Sequence, residues 1–433
     1  MIRHLRSGIT VLVLVLTATA CSGGAEPGGS EAGDRPVKVL GPWTGKQEDA
    51  FRALLDKSKV DYIYQGTAAQ REVLLSQVQA GTPPDIAVMP NVGELADYAR
   101  DGQLRSLEGL YEPTRYGPPW VPRASGTGHS YWVPVKADLK SIVWHRSDDG
   151  PPAERPPRID EWCVGMGDDG ASGWPGSDWI EDILLQRYGP RLYARWAGGA
   201  EKWTSERVES VWRGWGTLLK QSSGKAKRAL LTDHRGEAGK DGLLYSGGRR
   251  TSSPCTLEHQ GSFARTFYDD KAAGARFTLS HTLLPGGPYP ERGREVSADY
   301  AAMFTRTDQS QKLLRYLASA DVQQRWAKQN KPPVYPFSAN SGVSDRTHDD
   351  RTSQRIATLL TDEKAARCLD ASDTMPPAVR DAFYEATLRF MSNPDDPRPL
   401  LKGIQKVQQV EQDKLRAQGE LRKDGTWMTG ICS

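Results

Sequence analysis

Cysteine and histidine are scarce in this chain, with five and seven among 433 residues. No Cys-x-x-Cys, no His-Glu-x-x-His and no other ligand spacing occurs, so no motif for a metal is present and no cofactor is implied. A Gly-x-Ser-x-Gly nucleophile elbow is also missing. Gly41-Pro-Trp-Thr-Gly-Lys46 has the outline of a P-loop but neither its spacing nor a Ser/Thr after Lys46. Neither sign of charge dominates. The formal balance is +3, and loss of residues 1–20 would take Arg3 and Arg6 and no acid, leaving +1. A near-neutral chain excludes the usual electrostatics of a nucleic-acid binder. The basic clusters Lys225-Ala-Lys-Arg228 and Arg249-Arg250 lie among Gly and Ser and read as solvated loops.

The N-terminus reads as an export signal. Arg3, His4 and Arg6 precede an apolar run from Ile9 to Leu16, too short to span a bilayer, and small residues follow up to Cys21. Ala18-Thr19-Ala20-Cys21 resembles a bacterial lipobox, although Ala18 stands where Leu is commoner. The expectation is a signal peptide over 1–20 and an acylated Cys21 tethering the protein to the extracytoplasmic face of the bacterial cell membrane. The Gly/Ser/Glu-rich stretch within 21–36 is a solvated spacer. Four cysteines remain, Cys163, Cys255, Cys368 and Cys432, and an even count in an exported chain reads as two disulfides.

What is abundant is tryptophan, thirteen against eight phenylalanines. Several lie in Gly/Pro-rich turns, at 41–45 and 173–179. A flat ring on a turn gains little core burial and can offer its face to a planar ligand, sugars included. Trp162, Trp212 and Trp215, in patterned segments, read as structural.

Strands at 37–41, 60–64 and 85–89 alternate with helices at 47–57, 68–80 and 92–100, which implies an α/β lobe with a parallel sheet. Ligands bind outside the carboxyl ends of such strands, here Trp43-Thr44, Gln65 to Thr67 and Asn91. An extended crossing at 131–144 leads to a second set of helices at 178–188, 205–220 and 308–328. Further helices at 354–361, 378–391 and 400–418 close the chain.

Five segments carry a resemblance: Gly41-Pro-Trp-Thr-Gly45, Ala80-Gly-Thr-Pro-Pro-Asp-Ile-Ala87, Val133-Pro-Val-Lys-Ala-Asp-Leu-Lys-Ser-Ile-Val-Trp144, Gly173-Trp-Pro-Gly-Ser-Asp-Trp-Ile-Glu-Asp182 and Ala371-Ser-Asp-Thr-Met-Pro376. In this order, across nearly the whole chain, they resemble extracellular solute-binding proteins of family 1, the maltose-binding kind, and most of all the alpha-glucoside branch. The resemblance implies a periplasmic-binding-protein-like fold of two α/β lobes, 37–138 plus 300–345 and 139–299 plus 346–433. Three crossings fall near 135–143, 297–303 and 340–352, with a sugar cleft between the lobes. It implies a monomeric substrate-binding lipoprotein of an ABC importer, with a sugar ligand and membrane permease subunits as partners. A sugar-sensing or interaction lipoprotein shares the same features. The resemblance and the order of the cysteines favour Cys163–Cys255 and Cys368–Cys432 among three pairings.

A pyranose has an apolar face and a rim of hydroxyls, so its site needs aromatic platforms beside carboxylates and amides. Such contacts are expected at Trp43, Thr44 and Asn91 from the strand ends, and the resemblance adds Trp174, Asp178, Trp179, His259, Gln260, Asp299, Asp373 and Tyr384. Maltose binders carry a Trp where this chain has Gly261-Ser262, which implies a different sugar or a looser subsite. Asp178 and Glu181 also have the spacing of a capping box, Trp179 fits a core as well as a platform, and Asp373 could set a turn. Trp43 and Trp174, flanked by glycines, have the weakest core readings. Asp178, Glu181 and Asp182 sit on one helix, whereas glycosidase carboxylates flank the scissile bond from opposite sides, so no enzymatic activity is expected.

Overall fold

The computed structural model describes residues 35–146, 150–151, 156–236, 242–246, 255–328 and 335–433. The expected signal peptide, Cys21, nearly all of the spacer and Arg249-Arg250 lie outside the described residues.

The first lobe alternates as its sequence pattern requires: β1 (Val37–Gly41), α1 (Gly45–Leu55), β2 (Tyr62–Gly66), α2 (Gln70–Gln79), β3 (Ile86–Met89) and α3 (Val92–Arg100). Phe51, Leu54 and Leu55 share the inner face of α1, and all four residues of β3 are buried, as in a strand covered on both faces. After β4 (Arg123–Ala124), β5 (Trp132–Leu139) leads out of this lobe and turns at Lys140-Ser141 into β6 (Ile142–Arg146). Then come α4 (Trp174–Tyr188), α5 (Pro190–Ala197), α6 (Glu206–Leu219), α7 (Ser223–Leu230), α8 (Leu243–Ser246), β7 (Leu257–His259) and β8 (Ala275–Leu279). The return runs through β9 (Arg294–Met303), α9 (Asp308–Ala318) and α10 (Ala320–Lys328). The chain closes with α11 (Arg351–Thr361), β10 (Arg367–Leu369), α12 (Ala371–Thr374), α13 (Pro377–Ser392), α14 (Arg398–Ala417) and β11 (Met428–Thr429).

The main sheet has the order β10-β9-β3-β1-β2, with β5 also on β9, and the second lobe has its own sheet, β7-β6-β8. β1 runs parallel to β2 and β3, whereas β9 runs antiparallel to β3. β9 is long enough to pair twice along its length: Tyr300 to Met303 pair with β3, Arg294 to Val296 with β10. Its register with β5 slips between Pro134 and Lys136, where proline offers no N–H to the ladder. Among the described residues, no helix is long and apolar enough to cross a membrane.

Four sequence expectations need correction. Lys225 to Arg228 belong to α7, not to a loop: the Ser222 side chain caps the first turn, and Ala226 and Ala229 are buried. The expected helix 308–328 is two helices, broken at Ser319, whose backbone is extended. α4 begins at Trp174 with Pro175 in its first turn, so Asp178 lies inside the helix and caps nothing. The tryptophan excess is mostly core: twelve of the thirteen are buried, leaving only Trp174 half-buried. One cluster sets Trp196 edge-on to Trp203 at 4.9 Å, Trp203 to Phe383 at 4.8 Å and Trp212 to Phe390 at 5.2 Å, knitting α5, α6 and α13 together.

Both disulfides form as the cysteine order favours. Cys163–Cys255 ties the loop before α4 to the segment entering β7, and Cys368–Cys432 ties β10 to the C-terminus. The tail is also held by β11, which pairs with β4.

Candidate ligand site

The turn between β5 and β6 places Lys140 inside the protein. Its ammonium lies 2.8 Å from both Asp178 on α4 and Asp370 at the start of α12. It also faces the rings of Trp174 and Phe263, at 5.2 and 5.6 Å from their centroids. Burial alone would pull this ammonium down. The opposed charges of Asp178 and Asp370, with Glu295 and Asp373 beyond them, outweigh that and hold its pKa well above the ordinary lysine value.

The carboxylates around it divide by environment. Burial pushes Asp178 up to about 7 despite Lys140. Burial would raise Asp370 as well, but the same ammonium and the Ser372 hydroxyl outweigh it and keep Asp370 below the ordinary range. Glu181 and Glu295 are pushed well up, by burial first and by the neighbouring carboxylates second. Glu181 accepts from the backbone N–H groups of Ala371 and Ser372 at 2.5 and 3.3 Å, which fixes the first turn of α12. Asp370, Glu295 and Asp178 have carboxylate oxygens close enough to share a cation. That charge is already supplied by Lys140, so the donor set has its cation in covalent form and does not fit a metal.

Of the expected contacts, the structure brings Asp178, Trp174, Asp373, Asn91 and Tyr384 into one network. Asn91 at the start of α3 donates to Asp373 at 2.6 Å across the two lobes, and Tyr384 on α13 and Ser372 share a hydrogen bond of 3.1 Å. Burial and the nearby Asp370 raise the Asp373 carboxyl well above its ordinary value. Trp174 projects from the first position of α4. Gly173 precedes it with φ 107°, and a Cβ there would lie 2.5 Å from the Tyr384 carbonyl oxygen, so only glycine lets helix and loop meet. The indole N–H donates to Asp168 at 2.8 Å, which sets the ring plane. Asp178 Oδ1, by contrast, is buried without a hydrogen-bond partner.

The first lobe reaches this region through the opening turns of α1, α2 and α3. Lys46, two residues after the exposed Thr44, pairs with Asp269 of the second lobe at 3.2 Å. Gly93 lies so near Met375 that a Cβ would be 1.9 Å from its carbonyl oxygen. Arg380 on α13 meets Glu94 on α3 at 3.3 Å, and Arg71 links Glu94 to Asp381 at 3.0 and 2.9 Å. Asp299, half-buried on β9, pairs with Lys136 of β5 at 3.5 Å.

Four expected contacts are interior. Trp43 packs at 4.5 Å on Phe51 and 5.2 Å on Trp326, both from its own lobe, so its ring is core and not an open platform. Trp179 is wedged at 4.7 Å against Trp162 and 4.6 Å against His259. His259 binds Asp182 at 3.0 Å behind α4, and the Gln260 amide donates to the His234 carbonyl at 2.8 Å. Asp182 also accepts from Ser141 at 2.8 Å. The three carboxylates of α4 thus serve three different structural partners: Lys140, the start of α12, and His259 with Ser141. None is poised against another across a gap.

The sequence reading missed Lys140, Asp370, Glu295 and Phe263. Lys140 carried a usable signal, because a lysine between two apolar strands has to be paired if it is to be buried.

No family model matches the chain. It is 28% identical over 425 residues to the osmoprotective compounds-binding protein GgtB of Synechocystis sp., covering 89% of this chain and 95% of the relative. It is 25% identical over 418 residues to the alpha-glucosides-binding periplasmic protein AglE of Rhizobium meliloti, covering 88% of each. Maltose-bound MalE3 of T. maritima superposes with a TM-score of 0.62 at 14% identity, over 87% of this chain and 99% of that one. The chain is thus similar along nearly its full length to these binding proteins, and it shares the two-lobed fold of the maltose-binding kind.

Proposed function

We propose that this chain is the ligand-capturing component of an ABC importer and holds a neutral sugar or short oligosaccharide, an α-glucoside, in the cleft beside Trp174. The observation that carries this reading is the orphaned Asp178 Oδ1, which lies beside a fixed ammonium and next to the half-buried Trp174 ring. A sugar hydroxyl satisfies that acceptor while a C–H face stacks on the indole. The charges of the site are already paired internally, which favours a neutral ligand over a charged one. Trp174, Asp178, Asp373, Asn91 and Tyr384 form the contact set, Lys140 and Asp370 orient it, and Thr44 and Asp299 flank it from the first lobe and the crossing strand. The lobes divide as 37–138 plus 300–345 and 139–299 plus 346–433, with β5 and β9 at the hinge. Closure presents the loaded form to a permease. Acylated Cys21 and its spacer hold the protein as a monomer at the extracytoplasmic face of the membrane. The carboxylates are committed to Lys140, to α12 and to His259, so the bound sugar is released unchanged.

The test is a calorimetric titration of the purified protein with a panel of mono- and oligosaccharides that includes α-glucosides. Saturable one-to-one binding, lost in Asp178→Asn and unaccompanied by turnover, supports the reading. Absence of binding across the panel, or hydrolysis that disappears in Asp178→Asn, sinks it.

A further inference from the structure

A cavity of ≈ 540 Å³, with no lining residue in common with the ligand site, lies between β8, the start of α11 and the segment at Tyr335. Its floor is aromatic and fixed. The Arg265 guanidinium stacks 4.3 Å from the Tyr335 ring centroid, and that of Arg355 lies 4.6 Å from Phe277. Four arginines line the space, with Arg276 and Arg351 completing the set, against the single carboxylate of Asp350. Asp350 is already engaged: it pairs with Arg265 at 2.9 Å and accepts from the Ser353 N–H at 3.0 Å.

The other three arginines have no carboxylate within ion-pair distance among the described residues. Arg276 donates only to the carbonyls of Ala273 and Ala275, at 2.8 and 3.0 Å, and Arg355 to that of Phe277 at 3.2 Å. Backbone carbonyls hold these guanidiniums in place without neutralising them. A chain whose acidic and basic residues nearly balance, 54 against 57, has left three unneutralised cations around one cavity. The geometry points to a second binding site here, for a phosphate-class oxyanion. Guanidinium forks match phosphate oxygens, and an excess of three positive charges suits a multivalent anion better than a single carboxylate. The phosphate comes either from a free small molecule or from a lipid headgroup.

Inorganic pyrophosphate is the probe, titrated calorimetrically into the purified full chain at physiological ionic strength. Arg276 and Arg351 are exposed, so Arg276→Gln with Arg351→Gln should leave the melting midpoint and sugar affinity unchanged. Saturable one-to-one binding, weakened about tenfold or more in that double variant, supports the site; one lost charge-assisted contact is worth about that factor. In a second arm, cosedimentation with phosphatidylglycerol vesicles exceeding that with phosphatidylcholine, and reduced in the double variant, assigns the phosphate to a lipid headgroup. Pyrophosphate saturation without it assigns a free ligand. The inference is overturned if neither probe binds, or if the double variant binds both as the wild type does.

Discussion

Replacing Lys140 by methionine isolates the charge at the centre of the proposed ligand site. Methionine keeps the length of the chain and its contact with Trp174 and Phe263, and removes only the ammonium. Asp178 and Asp370, 2% exposed each, are then left without the cation that both touch at 2.8 Å. Breaking a buried ion pair by removing one partner costs about 3–5 kcal/mol. The cost should depend on pH in a defined direction. In the wild type Asp370 is held below its ordinary range by Lys140, so it contributes stability above its unfolded pKa that is lost only in strong acid. Without Lys140 its folded pKa moves above the unfolded value and the sign reverses. Its contribution is then complete only below the unfolded pKa and is lost as pH rises. The folded variant carries about one proton more than the wild type, so the deficit grows by about 1.4 kcal/mol per pH unit across the window where that proton is retained. Urea unfolding of both proteins at pH 5.5 and 7.5 measures it. The deficit should be larger at pH 7.5 by about 2–3 kcal/mol, from the same slope. Equal deficits at the two pH values, or a deficit under about 1 kcal/mol, would refute the claim that Lys140 neutralises these carboxylates.

Trp43→Ala should destabilise the unliganded protein by about 3–5 kcal/mol in urea unfolding, because the ring is packed between Phe51 and Trp326. Trp174→Ala should instead cost about 1–3 kcal/mol of sugar affinity by calorimetry, with a smaller change in the unfolding midpoint. Glu258 is pushed up to about 8 by burial, against the bond from the Leu244 N–H. Its folded pKa is therefore raised, and its contribution to stability, complete below its unfolded pKa, is lost as pH rises through 8; Glu258→Gln should melt higher than the wild type at pH 9, with no such advantage at pH 5. Opening the Cys368–Cys432 bridge with a double serine variant should cost about 2–5 kcal/mol in urea unfolding, since the bridge closes a loop with a sequence separation of 64. An unchanged midpoint would mean that β11 and the neighbouring hydrogen bonds hold the tail unaided.

Local pattern carried most of the fold. The spacing of Phe51, Leu54 and Leu55, and the bounds of β1 and α3, follow from hydrophobic periodicity, which depends on few residues at a time. What periodicity does not carry is context at the ends of elements. Gly173 and Pro175 read as turn residues, yet here the glycine supplies the positive φ that admits the chain into α4 and the proline fits its first turn. Ser222 likewise turned a polar, glycine-containing stretch into a capped helix. The small sheet β7-β6-β8 was not legible, because β6 finds both its partners far along the chain and β7 has only three residues.

The site was harder to read than the fold, and the tryptophans show why. A glycine beside an aromatic fixes where the backbone turns but not which way the ring points. At Gly41 to Gly45 the turn sends Trp43 inward onto α1 and α10, whereas at Gly173 it sends Trp174 toward Lys140. The two sequences look alike because the decision lies with a partner nearly three hundred residues away for one ring, and with a lysine in the turn between β5 and β6 for the other. Polar residues were more informative than rings for the same physical reason. A ring is content in any well-packed interior, but Asp178, Asp370, Asp373 and Lys140 can be buried only if they find one another, so their chemistry specifies their neighbours. In a chain of this kind, the charged residues inside apolar segments are therefore the better guide to where the cleft lies, and the aromatic beside them is the one to test first.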